Sequence, residues 1–196
     1  MVRILIIRPG ATDFDEQGRI KGTLDLPLSE GGSDQVVRLV QELHEVPIDY
    51  LYTCPTTAAQ QTADAIAADH GLRARRLDDL QNLDHGLWSG KRIEEVKQSQ
   101  PKVYRQLQEH PETVCPPNGE PVGAAIDRMR QFLTWVLKKH RAGVVALVIP
   151  EPCASLARSV LQNSEFGDLW KAECKSGGWQ AIEIQSELAP FALGAT

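Results

Sequence analysis

The residues with which this chain could do chemistry lie in the loops that follow its apolar runs. Arg8 ends the first of these runs and is followed directly by Pro9 and Gly10. An arginine at the end of a buried strand, next to a glycine turn, is typical of an anion-binding loop in α/β proteins. Pro9 has neither a titratable side chain nor a backbone N–H. The loop therefore indicates anion binding and leaves open whether it is catalytic.

Three further loops complete the expected site, because ligands of α/β proteins bind at the carboxyl ends of the strands. These loops are residues 54–58, 80–90 and 150–153. They add hydroxyl groups, one acid and several prolines, without a paired nucleophile and base or a pair of carboxylates. Judged from residue types alone, the loops predict a binding or structural pocket.

Two cysteines and one histidine of these loops are candidate replacement groups for catalysis. His85 stands beside Asp84, and Cys54 and Cys153 stand at strand ends. A thiolate nucleophile needs a lowered pKa, which only the start of a following helix would supply here. For each of the three, a packing or surface role is the alternative.

The elements that carry these loops alternate between strands and helices. Apolar or alternating runs predict strands over 3–8, 48–54, 143–149 and 177–185. Amphipathic or alanine-rich patterns predict helices over 28–46, 56–71, 123–143 and 153–163. Such alternation predicts an α/β protein with a largely parallel sheet covered on both faces.

Length, charge and hydropathy limit the classes of function. The 196 residues are expected to form a single domain, 1–196, with a polar and mostly helical excursion about 91–120. The formal net charge of −5, without a basic stripe of interleaved aromatics, argues against nucleic acid as a partner. The apolar runs are too short to span a bilayer, so no membrane is expected. We expect residues 187–196 to form a loose tail.

The 4 cysteines lie far apart and form no CxxC pair. Separated thiols of this kind are typical of a reduced, cytoplasmic protein. No cluster of cysteine and histidine has the spacing of metal ligands, so we expect neither a metal nor a cofactor.

Five blocks of sequence, spread over residues 3–165, stand in a recognisable order. They are LIIRPGATDFDEQGRIKGTLDLPLSEGG, YTCPTTAAQQTADAIA, LQNLDHGLWSG, PPNGEP and VVALVIPEP. In this order and spacing they resemble the histidine phosphatase superfamily, whose fold is phosphoglycerate-mutase-like. The resemblance implies a three-layer α/β sandwich, with a mostly parallel central sheet and helices on both faces.

The resemblance also implies where a catalytic site would be. In that family a histidine attacks phosphorus, two arginines and a second histidine neutralise the phosphoryl oxygens, and an acid protonates the leaving group. The first arginine is retained as Arg8. The nucleophile, the second arginine, the acid and the second histidine are replaced by Pro9, Ala58, Asn82 and Pro150, respectively.

These replacements remove the chemistry that the family uses. The ring nitrogen of Pro9 is part of a tertiary amide and has no free lone pair to attack phosphorus. Loss of the nucleophile alone typically costs on the order of 10⁶-fold in turnover in enzymes with a covalent step. Ala58 removes a bidentate cation, and Glu151, where the family has glycine, adds a negative charge. We therefore expect a catalytically degenerate protein, a pseudoenzyme with no catalytic residue, that binds a partner protein or a small ligand.

Alternatives stay open for Arg8 and for the protein as a whole. Arg8 is either a residual anion contact or a structural arginine tied to a carboxylate such as Glu151 or Asp13. The protein is alternatively a phosphatase or hydrolase that acts on a small phosphoester with rewired chemistry, through His85, a cysteine or Glu151. A structural subunit with a filled pocket is the third possibility, and a homodimer is the expected assembly.

Overall fold

A five-stranded sheet forms the centre of the structure, a computed structural model that describes residues 1–184. The strands are β1 (Val2–Ile7), β2 (Tyr50–Thr53), β3 (Ala74–Arg76), β4 (Gly143–Val148) and β5 (Trp179–Ile184). Their order across the sheet is β3-β2-β4-β1-β5. The expected tail, 187–196, lies outside the described residues.

β1 and β4 occupy the middle of the sheet because their residues are apolar on both sides. The two strands pair in parallel, with Ile4 opposite Val145, and both are buried along most of their length. β4 also pairs in parallel with β2, and β2 with β3. Burial of both faces requires a layer of helices on each side. The predicted α/β class, a mostly parallel sheet between helical layers, is confirmed.

The described part of the chain contains eight α-helices between and after these strands. They are α1 (Asp13–Glu16), α2 (Glu30–Leu43), α3 (Thr57–His70), α4 (Ile93–Ser99), α5 (Pro101–Glu109), α6 (Val122–Lys139), α7 (Cys153–Gln162) and α8 (Leu169–Glu173). Short 3₁₀ turns cover Asp78–Leu80, Gly86–Trp88 and Pro111–Thr113. No helix among residues 1–184 combines the length and the apolar character needed to cross a membrane.

Local sequence signals fix the ends of the helices that follow β1 and β2. The Ser29 side chain accepts a hydrogen bond from the Gly32 N–H and thereby caps the start of α2. α3 ends at Gly71, whose φ of +64° is readily adopted by glycine. Both helices thus begin and end close to where the sequence predicts.

Differences from the predicted elements lie mainly at the edges of the sheet. β3 was not predicted, because its three residues, Ala-Arg-Arg, form no apolar run. β5 is antiparallel to β1, with Ala181 opposite Leu5. The helix predicted over 123–143 ends at Lys139, since His140 adopts an extended backbone and its Nε2 lies 2.9 Å from the Tyr52 hydroxyl.

The start of α2 packs against the loop after β1 at a distance that only glycine allows. A Cβ atom at Gly32 would lie 2.0 Å from the carbonyl oxygen of Ala11, far inside van der Waals contact. A Cβ atom at Gly31 would instead meet Oε1 of Glu16, the flexible end of a side chain, at 2.8 Å. The two neighbouring glycines are therefore under very different constraints.

We expect Gly32→Ala to lower the free energy of unfolding by about 1–3 kcal/mol, the usual cost of forced overpacking. Gly31→Ala is the matched control, because a gain in helix propensity of about 1 kcal/mol offsets its contact with Glu16. Urea denaturation followed by circular dichroism measures both variants. Equal denaturation midpoints would show that the close approach at Gly32 is not a constraint.

Candidate active site

A cleft opens where the loops after β1, β2 and β4 meet. These strands are parallel neighbours, so their carboxyl ends lie at one edge of the sheet. The cleft is partly open to solvent. Its apolar lining consists of Pro9, Leu24, Leu26, Ala58 and Pro150. Its polar side chains are those of Thr12, Lys21, Thr56 and Asn82.

The four replaced positions of the family resemblance line this one cleft. Pro9 and Pro150 follow neighbouring strands, Ala58 lies in the first turn of α3, and Asn82 follows a 3₁₀ turn. None of these four side chains is charged, so Lys21 is the single cation among the described residues of the lining. Within residues 1–184, no group of three or more His, Cys, Asp or Glu side chains is placed to hold a metal ion.

Arg8 and Glu151 lie outside the cleft, although each is next in sequence to a residue that lines it. Both side chains line a second hollow instead, together with Arg158. Arg8 donates from Nε to the Gly177 carbonyl at 3.1 Å, and its Nη1 lies 3.8 Å from Oε1 of Glu151. Arg8 is thus engaged by a backbone carbonyl and by a carboxylate of the protein itself.

Glu151 is a buried carboxyl whose surroundings act on it in opposite directions. Its side chain is 2% exposed, and Oε2 accepts a hydrogen bond from the Ser155 N–H at 3.0 Å. Burial raises the pKa of Glu151, because it disfavours the charged form. The hydrogen bond from Ser155 and the positive charges of Arg8 and Arg158 oppose this rise in pKa.

Lys21 is a site residue that was not predicted from the sequence. Its ammonium forms an ion pair with Oδ1 of the buried Asp15. The other carboxylate oxygen, Oδ2, accepts from the Thr12 N–H at 2.7 Å and from the Thr12 hydroxyl at 2.8 Å. These bonds belong to the capping box of α1, so the start of a short helix positions the lysine. The available signal was a basic residue beside a glycine in the segment GRIKG.

Asn82 is a buried polar side chain of the lining, held in place by hydrogen bonds within the protein. Its Nδ2 donates to the carbonyls of Gly22 at 3.1 Å and Glu151 at 2.9 Å, which uses both amide hydrogens and fixes the orientation of the side chain. Its Oδ1 is buried and has no hydrogen-bond partner among residues 1–184.

The two strand-end cysteines are buried thiols that do not line the cleft. The Sγ atom of Cys54 lies 3.5 Å from the Thr56 hydroxyl, and burial raises the pKa of Cys54. Burial raises the pKa of Cys153 to about 12. Both groups are therefore protonated near neutral pH, and a protonated thiol is a poor nucleophile.

His85 packs in an aromatic cluster instead of facing the cleft. Its ring is 1% exposed, its Nε2 lies 3.0 Å from Oε2 of Glu173, and the ring is stacked on Trp170 with centroids 6.4 Å apart. The backbone nitrogen of His85 lies 3.4 Å from the position that a Cβ atom on Gly22 would take. The backbone of His85 is thus close to the cleft, while its imidazole contacts buried groups.

The sequence matches known proteins over nearly its whole length. The model of a family described as histidine phosphatase superfamily (branch 1) matches residues 4–191. Phosphoserine phosphatase 1 of Hydrogenobacter thermophilus is 29% identical over 185 residues, which are 94% of this chain and 88% of that protein. The adenosylcobalamin/alpha-ribazole phosphatase of Escherichia coli is 24% identical, over 96% of this chain and 93% of that protein.

Solved structures share the fold. A mutant phosphoserine phosphatase from Entamoeba histolytica, in complex with phosphoserine, matches with a TM-score of 0.82 and 21% identity over 94% of this chain and 92% of that chain. A mycobacterial glucosyl-3-phosphoglycerate phosphatase matches with a TM-score of 0.79 and 21% identity over 91% of this chain and 88% of that chain. These matches agree with the fold that the resemblance implies.

The expectation of a catalytically degenerate protein, a pseudoenzyme that acts by binding a partner, is wrong. Relatives that align with 94% and 96% of the chain are named phosphatases, and the alternative of a phosphatase with rewired chemistry agrees with them better. The positions that the family fills with histidine, arginine and an acid are not the only source of charge in this cleft. Lys21 adds a cation to the same lining.

Burial of the strand-end thiols determines the order in which the cysteines react. We expect iodoacetamide at mildly alkaline pH to alkylate the exposed Cys115 and to leave Cys54 and Cys153 unmodified, because the reagent attacks thiolates. Peptide mass spectrometry over time measures the modification. In guanidinium, where the chain is unfolded, all three cysteines should react at similar rates. Rapid alkylation of Cys54 or Cys153 in the folded protein would contradict their assignment as inert thiols.

The raised pKa of Glu151 makes the stability of the fold depend on pH. The unfolded chain ionises this carboxyl near its ordinary pKa of 4.5, whereas the folded chain holds the proton to higher pH. The contribution of Glu151 to the stability of the fold is therefore fully present below pH 4.5. It is lost as the pH rises through the pKa that this carboxyl has in the folded protein.

Glu151→Gln removes this titration, and its amide oxygen can still accept from Ser155. We expect the variant to gain stability relative to the parent as the pH rises from about 4 to about 8. Thermal melts across this range measure the difference, with Glu94→Gln on the exposed surface of α4 as the control. A stability difference that is independent of pH would contradict the raised pKa.

Proposed function

The chain belongs to the histidine phosphatase superfamily, and from this premise we propose that it is a phosphatase that hydrolyses a small phosphoester in the cleft around Lys21. The observation that carries the proposal is the presence of Lys21 in the lining of the cleft where the strand-end loops converge. A phosphoryl group is strongly anionic, and its transfer depends mainly on cations placed around its oxygens. The names of the relatives as phosphatases support the same reaction class.

Lys21 is the principal contact proposed for the phosphoryl group. The ammonium has three hydrogens, and its ion pair with Asp15 leaves others for phosphoryl oxygens. The Thr56 hydroxyl, at the start of α3, is a second donor in the lining. The backbone amides of residues 10–12 already donate to side chains of the protein. Binding therefore depends on Lys21 more than on the loop after β1.

Hydrolysis in this cleft is proposed to proceed by direct attack of water, because Pro9 has no lone pair that could form a phosphoenzyme. The water oxygen bonds to phosphorus as the phosphorus–oxygen bond of the ester breaks. The leaving oxygen takes a proton from solvent and departs as the alcohol. Of the two protons of the attacking water, one stays on the phosphate and the other returns to solvent.

The cytoplasm is the proposed location of this activity. All four cysteines, Cys54, Cys115, Cys153 and Cys174, are free thiols. Free thiols persist in reducing compartments, whereas oxidising compartments favour disulfides.

Substitution of Lys21 tests the proposed function. We expect the purified protein to release phosphate from phosphomonoesters, and Lys21→Ala to lower kcat/KM at least ~10-fold, because a hydrogen bond to a charged group contributes about 1.5–3 kcal/mol. Malachite-green detection of phosphate over a panel of esters measures this. Lys97→Ala, which changes an exposed lysine of α4, is the matched control and should leave kcat/KM unchanged.

Two results would contradict the proposal. The first is the absence of phosphate release from every ester of the panel, or equal kcat/KM for the parent and Lys21→Ala. The second concerns the chemical route, since direct attack by water leaves no phosphoryl group on the chain. Radiolabel from a phosphoester retained on the denatured protein would show a covalent intermediate.

A further inference from the structure

Leu24 is the well exposed residue in the apolar part of the described lining. Leu24 lines the cleft and is 42% exposed, and Leu26 and Pro9 are also part of the lining. An exposed leucine at the mouth of a cleft is stabilised when an apolar group covers it and releases the surrounding water. This composition favours a ligand whose organic group is apolar.

The charge available to a ligand is limited to one cation. Lys21 is the single cation of the lining among the described residues, and its partner Asp15 brings a negative charge beside it. When a phosphoryl group pairs with the Lys21 ammonium, no second cation remains among the described residues of the lining for another anionic group. Arg8, the neighbour of Pro9 in the chain, faces the other hollow and lies beside Glu151.

The hydrogen-bonding groups of the lining add to this preference. Both amide hydrogens of Asn82 are used by the carbonyls of Gly22 and Glu151, so this side chain has no donor left for a carboxylate of the ligand. The hydroxyl of Thr12 gives its hydrogen to Asp15 at 2.8 Å, so it is not free to donate to a ligand. A carboxylate in the cleft would thus be desolvated with few donors to replace water.

We propose that the cleft selects phosphomonoesters with an apolar, uncharged organic group over phosphoesters that also carry a carboxylate, such as phosphoserine; this rests on the phosphatase function proposed above. The phosphoryl group pairs with Lys21 and the organic group covers Leu24. A second anionic group finds no further cation among the described residues of the lining.

Phosphonates test this preference without any turnover, because their carbon–phosphorus bond is not hydrolysed. Isothermal titration calorimetry compares benzylphosphonate with the phosphonate analogue of phosphoserine. We expect benzylphosphonate to bind at least ~10-fold more tightly to the parent protein. Leu24→Asn should weaken benzylphosphonate about 3- to 10-fold and leave methylphosphonate unaffected. Leu87→Asn, at a 59% exposed leucine outside the lining, is the matched control.

A gain-of-charge variant gives the complementary result. Ala58→Arg adds a cation to the lining, so we expect it to tighten binding of the phosphoserine analogue at least ~5-fold relative to benzylphosphonate. Equal or tighter binding of the phosphoserine analogue by the parent protein, or no binding of either phosphonate, would overturn the inference.

The outcome for the substrate class is separable from the outcome for the phosphatase function. Preference for benzylphosphonate without phosphate release from any ester supports the inferred selectivity and overturns the phosphatase function. Phosphate release with phosphoserine preferred to phenyl phosphate supports the phosphatase function and overturns the inferred selectivity.

Discussion

The parallel pairing of β2, β4 and β1 determines where the chemistry of this protein can take place. Parallel neighbours bring their carboxyl ends to one edge of the sheet. The segments that follow these strands, with Pro9, Ala58 and Pro150, therefore converge although they are far apart in sequence. The continuous burial of β1 and β4 stabilises this arrangement through the hydrophobic effect. The cleft is thus a consequence of strand order, and its chemistry depends on the side chains that the loops supply.

The residues at the ends of β1 and β4 are divided between two hollows. Pro9 and Pro150 line the cleft, whereas their neighbours Arg8 and Glu151 line the second hollow. Arg8 therefore lies beside a buried carboxyl group of the protein, and the cleft receives its positive charge from Lys21. Lysine is a compact point charge, while arginine binds phosphate with a planar fork. For the proposed phosphoryl ligand, Lys21 consequently gives weaker geometric control than an arginine would.

The sequence predicts the elements whose residue pattern is set by burial. β1, β4 and α3 lie close to their predicted bounds because apolar runs and a C-terminal glycine define them. β3 could not be predicted, because a strand of three residues with two arginines has no apolar period. The antiparallel direction of β5 depends on how the chain returns to the sheet edge, which local patterns do not encode. In the site, strand order and the family resemblance together predict that the replaced positions lie close in space.

The role of Lys21 could not be predicted, because it depends on a loop conformation that a short helix determines. Thr12 lines the cleft and caps α1, while its partner Asp15 forms the ion pair with Lys21. The four residues of α1 are too few to form a stable helix alone, since nucleation is costly and few hydrogen bonds repay it. The capping box and the ion pair therefore stabilise each other. A substitution that disrupts the cap would release the ammonium as well, so the positive charge of the cleft and the local order of α1 are physically coupled.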